Sequence, residues 1–334
     1  KDQLTEYDGQ TITYDAIGNP IAYRDNMILG WQHGRELKSI TVTAGLKTTT
    51  YTYDEAKKLV AKALEPMGDE YVSTLKSGME SGWIDVYENE NKRSGAYSWG
   101  AYGTHPYVLL NYADNLDSVF TLAHEMGHAM HTYYSNEHQS ITYAGYLIFV
   151  AEVASTCNES LLMHYMLEHC EDENERKYLM THFLDGFRTT LFRQAQFAEF
   201  EHIAHRKMQK GEPVTKDVLN ELWHELNVQY YGPDMRVDDE ISYEWMRIPH
   251  FYTPYYVYQY STGYSAAVAF SKKILEEGKP AVDKYIGNFL CGGCSKNPIE
   301  LLKSAGVDMS TPKPVDDALN VFEDYLKQFE AATE

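Results

Sequence analysis

The residues best suited to chemistry are His124-Glu125-Met126-Gly127-His128. On a helix, positions four apart lie one turn apart on the same face. Two imidazoles so placed can present nitrogens to one Zn2+ at ~2.0–2.1 Å. Glu125 then lies next to the ion, placed to take a proton from a water there. In a chain with 13 histidines, a chance match to this pattern is a roughly few-per-cent event, so context must decide. The alternative is a surface helix carrying two incidental histidines. Val119, Phe120 and Leu122 before the motif, and Ala129 and Met130 after it, predict a helix that is apolar on several sides and buried. Burying two histidines and a carboxylate without a partner costs on the order of several kcal/mol. A bound cation removes that cost.

A catalytic zinc takes three protein ligands and keeps one position for water. The longer pattern H-E-x-x-H-x-x-G-x-x-H is absent, because position 131 is His131 and position 134 is Tyr134. The third ligand is therefore expected to be a carboxylate on a later helix, and Glu152 is the best candidate. It interrupts Leu147-Ile148-Phe149-Val150-Ala151 and Val153-Ala154, where a charge is costly unless coordinated. Glu159 lies seven residues further along the same face and is read as accepting a hydrogen bond from a ligand histidine. Glu137 and His131 are weaker candidates, better read as an exposed turn residue and a helix-end histidine.

The rest of the chain must supply the elements that hold these groups. Its 334 residues, 43% hydrophobic and 23% charged, suit one large or two smaller globular domains rather than a disordered, collagen-like or disulfide-scaffold chain. A formal charge of −20 repels phosphate backbones and anionic membrane surfaces, so neither nucleic acid nor membrane is an expected partner. No run reaches the ~18 apolar residues of a membrane span. Four cysteines are too few for a staple framework. Cys157 and Cys170 read as buried thiols, and Cys291-Gly292-Gly293-Cys294 as a loop with two reduced thiols rather than a redox pair. A reducing compartment, the bacterial cytoplasm, fits. The chain starts at Lys1 and shows no signal peptide; a fragment or a processed product is expected, with a removed export signal left open.

Residues 1–52 alternate in Thr11-Ile12-Thr13-Tyr14, Ile21-Ala22-Tyr23 and Ser39-Ile40-Thr41-Val42-Thr43, with turns at Gly18-Asn19-Pro20 and Asp25-Asn26. This predicts short antiparallel strands. Thr13-Tyr14-Asp15-Ala16-Ile17-Gly18-Asn19-Pro20, Gly30-Trp31 and Gly34-Arg35-Glu36-Leu37 resemble one unit of the YD (rearrangement-hotspot) repeat family, and Thr50-Tyr51-Thr52-Tyr53-Asp54 resembles the start of a second. From residue 53 to 334 the periodicity is mainly helical, with helices predicted at 54–66, 115–134, 145–169, 172–208, 215–229, 255–276, 279–289, 298–305 and 314–331. Short strands are predicted at 83–87, 95–102 and 107–112. The fold class expected is mostly α with a small β-sheet, preceded by a short antiparallel β segment.

Thr121-Leu122-Ala123 before the histidine motif, Phe149-Val150-Ala151-Glu152-Val153-Ala154-Ser155-Thr156, Gly103-Thr104-His105-Pro106-Tyr107, Ile248-Pro249-His250-Phe251-Tyr252 and Gly306-Val307-Asp308-Met309 extend the signal over residues 53–334. This region resembles the oligoendopeptidase F branch of the thimet-oligopeptidase-like zinc metallopeptidases. The resemblance implies one Zn2+ per chain on His124, His128 and Glu152, with Glu125 as general base. It implies roles for His250 and for tyrosines after it, favouring Tyr258 as donor to the oxyanion with Tyr255 beside it; Tyr256 and Tyr260 are rivals, as is a helix whose tyrosines merely pack. Gly95, Ala96 and Tyr97 resemble the start of the edge strand that pairs with an extended peptide. Members of the family carry a long helical half ahead of this region, and it walls in a narrow cleft. Without it, the site would open to protein loops. The resemblance thus points to a zinc endopeptidase acting on peptide substrates, with the oligomeric state open. The alternatives are a secreted effector peptidase of a YD-repeat polymorphic toxin and a peptide-binding remnant without turnover.

Overall fold

A computed structural model describes residues 6–7, 10–16, 19–23, 27–32, 36–42 and 49–333. The chain divides into two compact units, residues 1–50 and 51–334. In the first, β1 (Glu6–Tyr7) pairs with β2 (Gln10–Thr11), and β3 (Thr13–Tyr14), β4 (Pro20–Tyr23), β5 (Met27–Gln32) and β6 (Glu36–Val42) form an antiparallel meander in that order. The register sets Ile28 opposite Thr41 and Leu29 opposite Ile40, the antiparallel pairing that the sequence predicts. The expected turn residues Gly18 and Asp25-Asn26, together with Ile17, Gly34-Arg35 and Thr43, lie outside the described residues.

The second unit is mostly helical. It opens with α1 (Tyr53–Ala63), where Thr52 and Glu55 bond each other's backbone N–H groups in a reciprocal N-cap. α2 (Asp69–Glu80) falls where the sequence reading places no element. Its signal is the buried stripe Tyr71, Val72, Leu75 and Met79, at helical spacing after Gly68. A three-stranded sheet follows, β7 (Ile84–Asp85), β8 (Tyr97–Trp99) and β9 (Tyr107–Leu109), with β9 in the centre, parallel to β7 and antiparallel to β8. β8 is thus an edge strand.

Then come α3 (Leu116–His138), α4 (Ile148–His169), α5 (Glu173–Gly186), α6 (Arg193–Gln209), α7 (Lys216–Tyr231), α8 (Tyr258–Glu277), α9 (Lys279–Lys284), α10 (Pro298–Ala305) and α11 (Lys313–Thr333). The single helix expected over 172–208 is α5 and α6 joined by a π-helical stretch, Phe187–Phe192. α4 is apolar round most of its circumference and lies at the centre of the core, packed along α3 on one side and α8 on the other. A second, smaller core gathers Phe197, Phe200, Trp223 and Leu226 of α6 and α7 around Ile248 and Val257. No helix among the described residues is long and apolar enough to cross a membrane.

Two glycines set the spacing of the helices that matter for chemistry. A Cβ on Gly127 of α3 would lie 2.6 Å from Ser155 Cα and 2.7 Å from the Ala154 carbonyl of α4. These are backbone atoms, so any side chain there must push the two helices apart. Gly293, at φ +51, lies in the C-G-G-C loop, and a Cβ there would come 2.0 Å from the Tyr143 carbonyl. Cys294 N–H bonds that carbonyl at 2.8 Å, and Gln139 bonds the Cys291 carbonyl at 2.7 Å. The loop is thereby tied to the connection between α3 and α4. All four cysteines are free thiols; Cys157 and Cys291 are buried, whereas Cys170, expected to be buried, is half-exposed at the end of α4.

Candidate active site

Asn115 caps α3 by accepting from Ser118 N–H, and the helix then runs through the histidine motif to residue 138. His124 and His128 emerge one turn apart, their rings 4.8 Å apart and nearly perpendicular. Glu152, one turn into α4, brings its Oε2 to 3.3 Å from Nε2 of both histidines. Among the described residues these three alone form a cluster able to hold a metal, with ligand atoms all within 4.8 Å of one another. Tetrahedral bonds of ~2.0–2.1 Å separate ligand atoms by about 3.4 Å, so the two 3.3 Å spacings suit zinc, as does the donor set of two imidazoles and a carboxylate.

The surroundings orient this set. Glu159 Oε2 lies 3.3 Å from His124 Nδ1, so the ring is held from the side away from Glu152. Ser155, which the sequence reading does not single out, donates to Glu152 Oε2 at 3.2 Å; its signal is the three-residue spacing from Glu152 on one helix. Glu125 is buried and its Oε2 has no hydrogen-bond partner among the described residues. Burial raises its pKa; the two histidines pull it down, and Glu152 and Glu159 add to the rise, which prevails. Burial works against charge on His124, yet Glu159 and Glu152 overcome it and hold that imidazole well above its usual value. Glu152 behaves conversely: burial raises it, but hydrogen bonds from His124 and His128 keep it well below the ordinary carboxylate range.

Below the raised pKa, His124 carries a proton that a metal ion must displace. Loading the metal-free protein at pH 7 is expected to release about one proton per ion, read from calorimetric enthalpies in buffers of different ionisation heat. Affinity should rise with pH until His124 has titrated. Proton-neutral binding at pH 7 would contradict this arrangement.

The weaker candidates stand elsewhere. Glu137 is exposed. His131 is fully buried, not the helix-end histidine expected, and stacks on Tyr146 at 3.8 Å, with neither ring nitrogen hydrogen-bonded among the described residues. Burial and the nearby His128 press its pKa down to about 3, so it is a neutral aromatic of the core.

The tyrosine-rich segment differs from the expectation. The helix predicted from residue 255 begins at Tyr258, so Tyr255 and Tyr258 do not share a helical face. Tyr255 has φ +55, donates its N–H to Glu201 at 2.7 Å and lays its ring on His205 of α6. These tertiary contacts override the local helical pattern. Tyr258 packs against Phe149. The rivals Tyr256 and Tyr260 meet each other, hydroxyls 3.5 Å apart, and the exposed His250 lies against both rings. Burial, then the Tyr256 hydroxyl, then the charge of Glu152 raise the Tyr260 pKa, so this phenol stays protonated.

Gly95 at φ +87 leads into β8, and its carbonyl accepts from Asn111 at 2.7 Å. Gly95 and Ala96 share a cavity of about 210 Å³ with Asp117 and Thr121 near the start of α3.

A helix-borne pair of histidines, a carboxylate from the next helix and a buried glutamate beside them define a metallopeptidase-type centre. The model of "Peptidase family M3" matches residues 40–321, and the chain belongs to that family. It is 55% identical to oligopeptidase PepF of Bacillus subtilis over 287 residues, covering 86% of this chain and 42% of that protein. It is 42% identical to an oligoendopeptidase F homolog of Lactococcus lactis over 301 residues, 90% and 50% of the two chains. A crystal structure of a Chlamydophila abortus protein superposes with a TM-score of 0.80 at 44% identity, and oligoendopeptidase-F from Enterococcus faecium with 0.65 at 38%, covering 86% of this chain and 48% and 47% of theirs. The chain thus spans about half the length of the relatives it matches. Residues 1–39 lie outside the family match.

Proposed function

We propose that this chain carries the catalytic half of a zinc-dependent endopeptidase that hydrolyses oligopeptides. The observation that carries the reading is the convergence of His124, His128 and Glu152 at zinc-like spacing, with the partnerless oxygen of Glu125 beside them. His124, His128 and Glu152 would hold the ion, which supplies a Lewis acid that polarises a peptide carbonyl and acidifies water. Glu125 takes the proton of the attacking water and delivers it to the leaving amine; its raised pKa suits both steps. Glu159 and Ser155 keep His124 and Glu152 in register. The edge of β8 offers backbone groups to an extended peptide, with Gly95, Ala96 and Tyr97 at its start.

Tyr260, whose hydroxyl lies 3.5 Å from that of Tyr256 and whose ring meets His250, is the group we assign to steadying the oxyanion in place of the Tyr258 that the resemblance favours. Tyr260→Phe is expected to lower kcat by about 10²–10³-fold, in the range of a lost oxyanion donor, while Tyr258→Phe stays near wild type. The reverse order would return the role to Tyr258.

The founding test is cleavage of quenched-fluorescent peptides and of a folded protein, with and without a zinc chelator. Chelator-sensitive cleavage of the peptides supports the reading. Binding of peptides without cleavage at saturating zinc would replace it with a peptide-binding remnant. The likeness of residues 13–37 to a YD repeat stands on the sequence motifs alone, and the effector reading stands with it; attack on larger proteins rests on the expectation of a cleft without the family's helical half. Four free thiols suit the reducing cytoplasm proposed from the sequence.

A further inference from the structure

We propose that Glu201 is a positioning residue that fixes the backbone of the 248–257 segment, and through it the placement of His250 and Tyr256 over Tyr260. The proposal rests on the peptidase reading above. Glu201 lies on α6, is 5% exposed, and has no lysine or arginine partner among the described residues. A buried carboxylate without a cation is costly unless it is hydrogen-bonded. Its Oε1 accepts from Tyr255 N–H at 2.7 Å, with His205 Nε2 at 3.9 Å.

The residue it holds is itself out of place. Tyr255 sits at φ +55, a region bulky side chains rarely enter, and the surroundings must over-determine such a conformation for it to persist. A charged acceptor aimed at the N–H supplies part of that constraint, and the stack of Tyr255 on His205 supplies more. On either side of this point the chain is anchored by side chains: Ile248, Phe251 and Val257 are set in the core formed by Phe197, Phe200 and Trp223. His250 and Tyr256 lie between those anchors and face Tyr260. If Tyr255 left its left-handed conformation, the direction of the chain at Tyr256 would change and the His250–Tyr256–Tyr260 cluster would open. Glu201 touches none of the reacting groups; it acts through the backbone.

The test compares Glu201→Leu with Glu201→Gln in the full chain. Leucine suits the apolar neighbours but cannot accept a hydrogen bond, whereas glutamine keeps an acceptor oxygen. For Glu201→Leu, we expect faster hydrogen exchange in residues 250–257, kcat lowered by at least about 10-fold, and KM and bound zinc close to wild type, the pattern of misplaced catalytic groups. Glu201→Gln should restore both the exchange protection and kcat to within about threefold of wild type. Unchanged exchange and kcat in Glu201→Leu would overturn the proposal. So would a glutamine variant as impaired as the leucine one, because the negative charge and not the accepted hydrogen bond would then be at work. The exchange measurement needs no turnover. If the wild type cleaves no peptide, the peptidase reading fails while the clamp is still decided.

Discussion

Glu125→Gln is expected to abolish most peptide turnover, by about 10²–10⁴-fold in kcat, while leaving bound zinc unchanged. The substitution is nearly isosteric, and the Glu125 Oε2 it replaces makes no hydrogen bond, so the protein loses no contact. What it loses is a proton acceptor. The metal set is untouched, because His124 and His128 project to Glu152, not to Glu125. The measurement pairs steady-state cleavage of a fluorogenic peptide with metal analysis of the same sample. A glutamine variant cleaving within about twofold of wild type would remove Glu125 from the mechanism, since a general base accounts for at least 10²-fold. Its raised pKa also has a sign that can be read. In the metal-free protein the carboxyl keeps its proton to a higher pH than an exposed glutamate, so the charged form is gained later as pH rises.

Glu152→Ala should act at the other end of the chain of cause, on the metal itself. It removes the one oxygen that faces both histidines and leaves two nitrogens, fewer than a catalytic zinc needs. Loss of an outer supporting contact typically costs 10–100-fold in affinity, so loss of a ligand is expected to exceed about 100-fold. The variant should emerge from dialysis against a mild chelator without zinc and without activity, while the wild type retains both. His124 also loses one of the two carboxylates that raise its pKa, so the proton released on metal loading should diminish. Zinc content equal to wild type at sub-micromolar free metal would show that the ligand lies elsewhere. Glu159→Gln offers a graded comparison: it keeps the shape beside His124 but weakens the acceptor, and should fall between wild type and Glu152→Ala.

The two variants probe different parts of one device. α3 brings a pair of histidines and a glutamate on consecutive turns; α4 brings the carboxylates. The approach of the two helices at Gly127 and Ser155 allows the sets to meet. A methyl group at that crossing would separate side chains that depend on a few tenths of an ångström. The C-G-G-C loop contributes at a distance, since it holds the connection from α3 to α4 through Tyr143 and Gln139.

Much of this was readable along the chain, because the deciding signals are local. His124 and His128 share a helical face by spacing alone, and a carboxylate at Glu152 inside an apolar run is a cost that asks for a partner. The same reasoning placed Glu159 one face-repeat beyond, and the structure puts it against His124. Alternation marked the strands of the first unit. Where the pattern is two-sided, local reading failed. α2 carries the stripe Tyr71, Val72, Leu75 and Met79 among polar residues after a short 3-10 turn, a helical spacing that is easily passed over. His131 looks like any polar residue near the end of a helix until Tyr146 and Phe289 close around it.

The tyrosines show most plainly what folding alone decides. Six of them lie between 252 and 264, and helical spacing ranks Tyr255 with Tyr258. The folded chain instead bends at Tyr255, because Glu201 and His205, some fifty residues earlier, claim its backbone and its ring. The first helical turn therefore starts later, and Tyr256 and Tyr260 come to His250 in its place. Residue type and spacing were sufficient to single out His124, His128 and Glu152 as a group that could hold a metal, since they lie within one turn or on adjacent helices. The partners of an aromatic loop are chosen by contacts distant in the chain, and no periodicity records those.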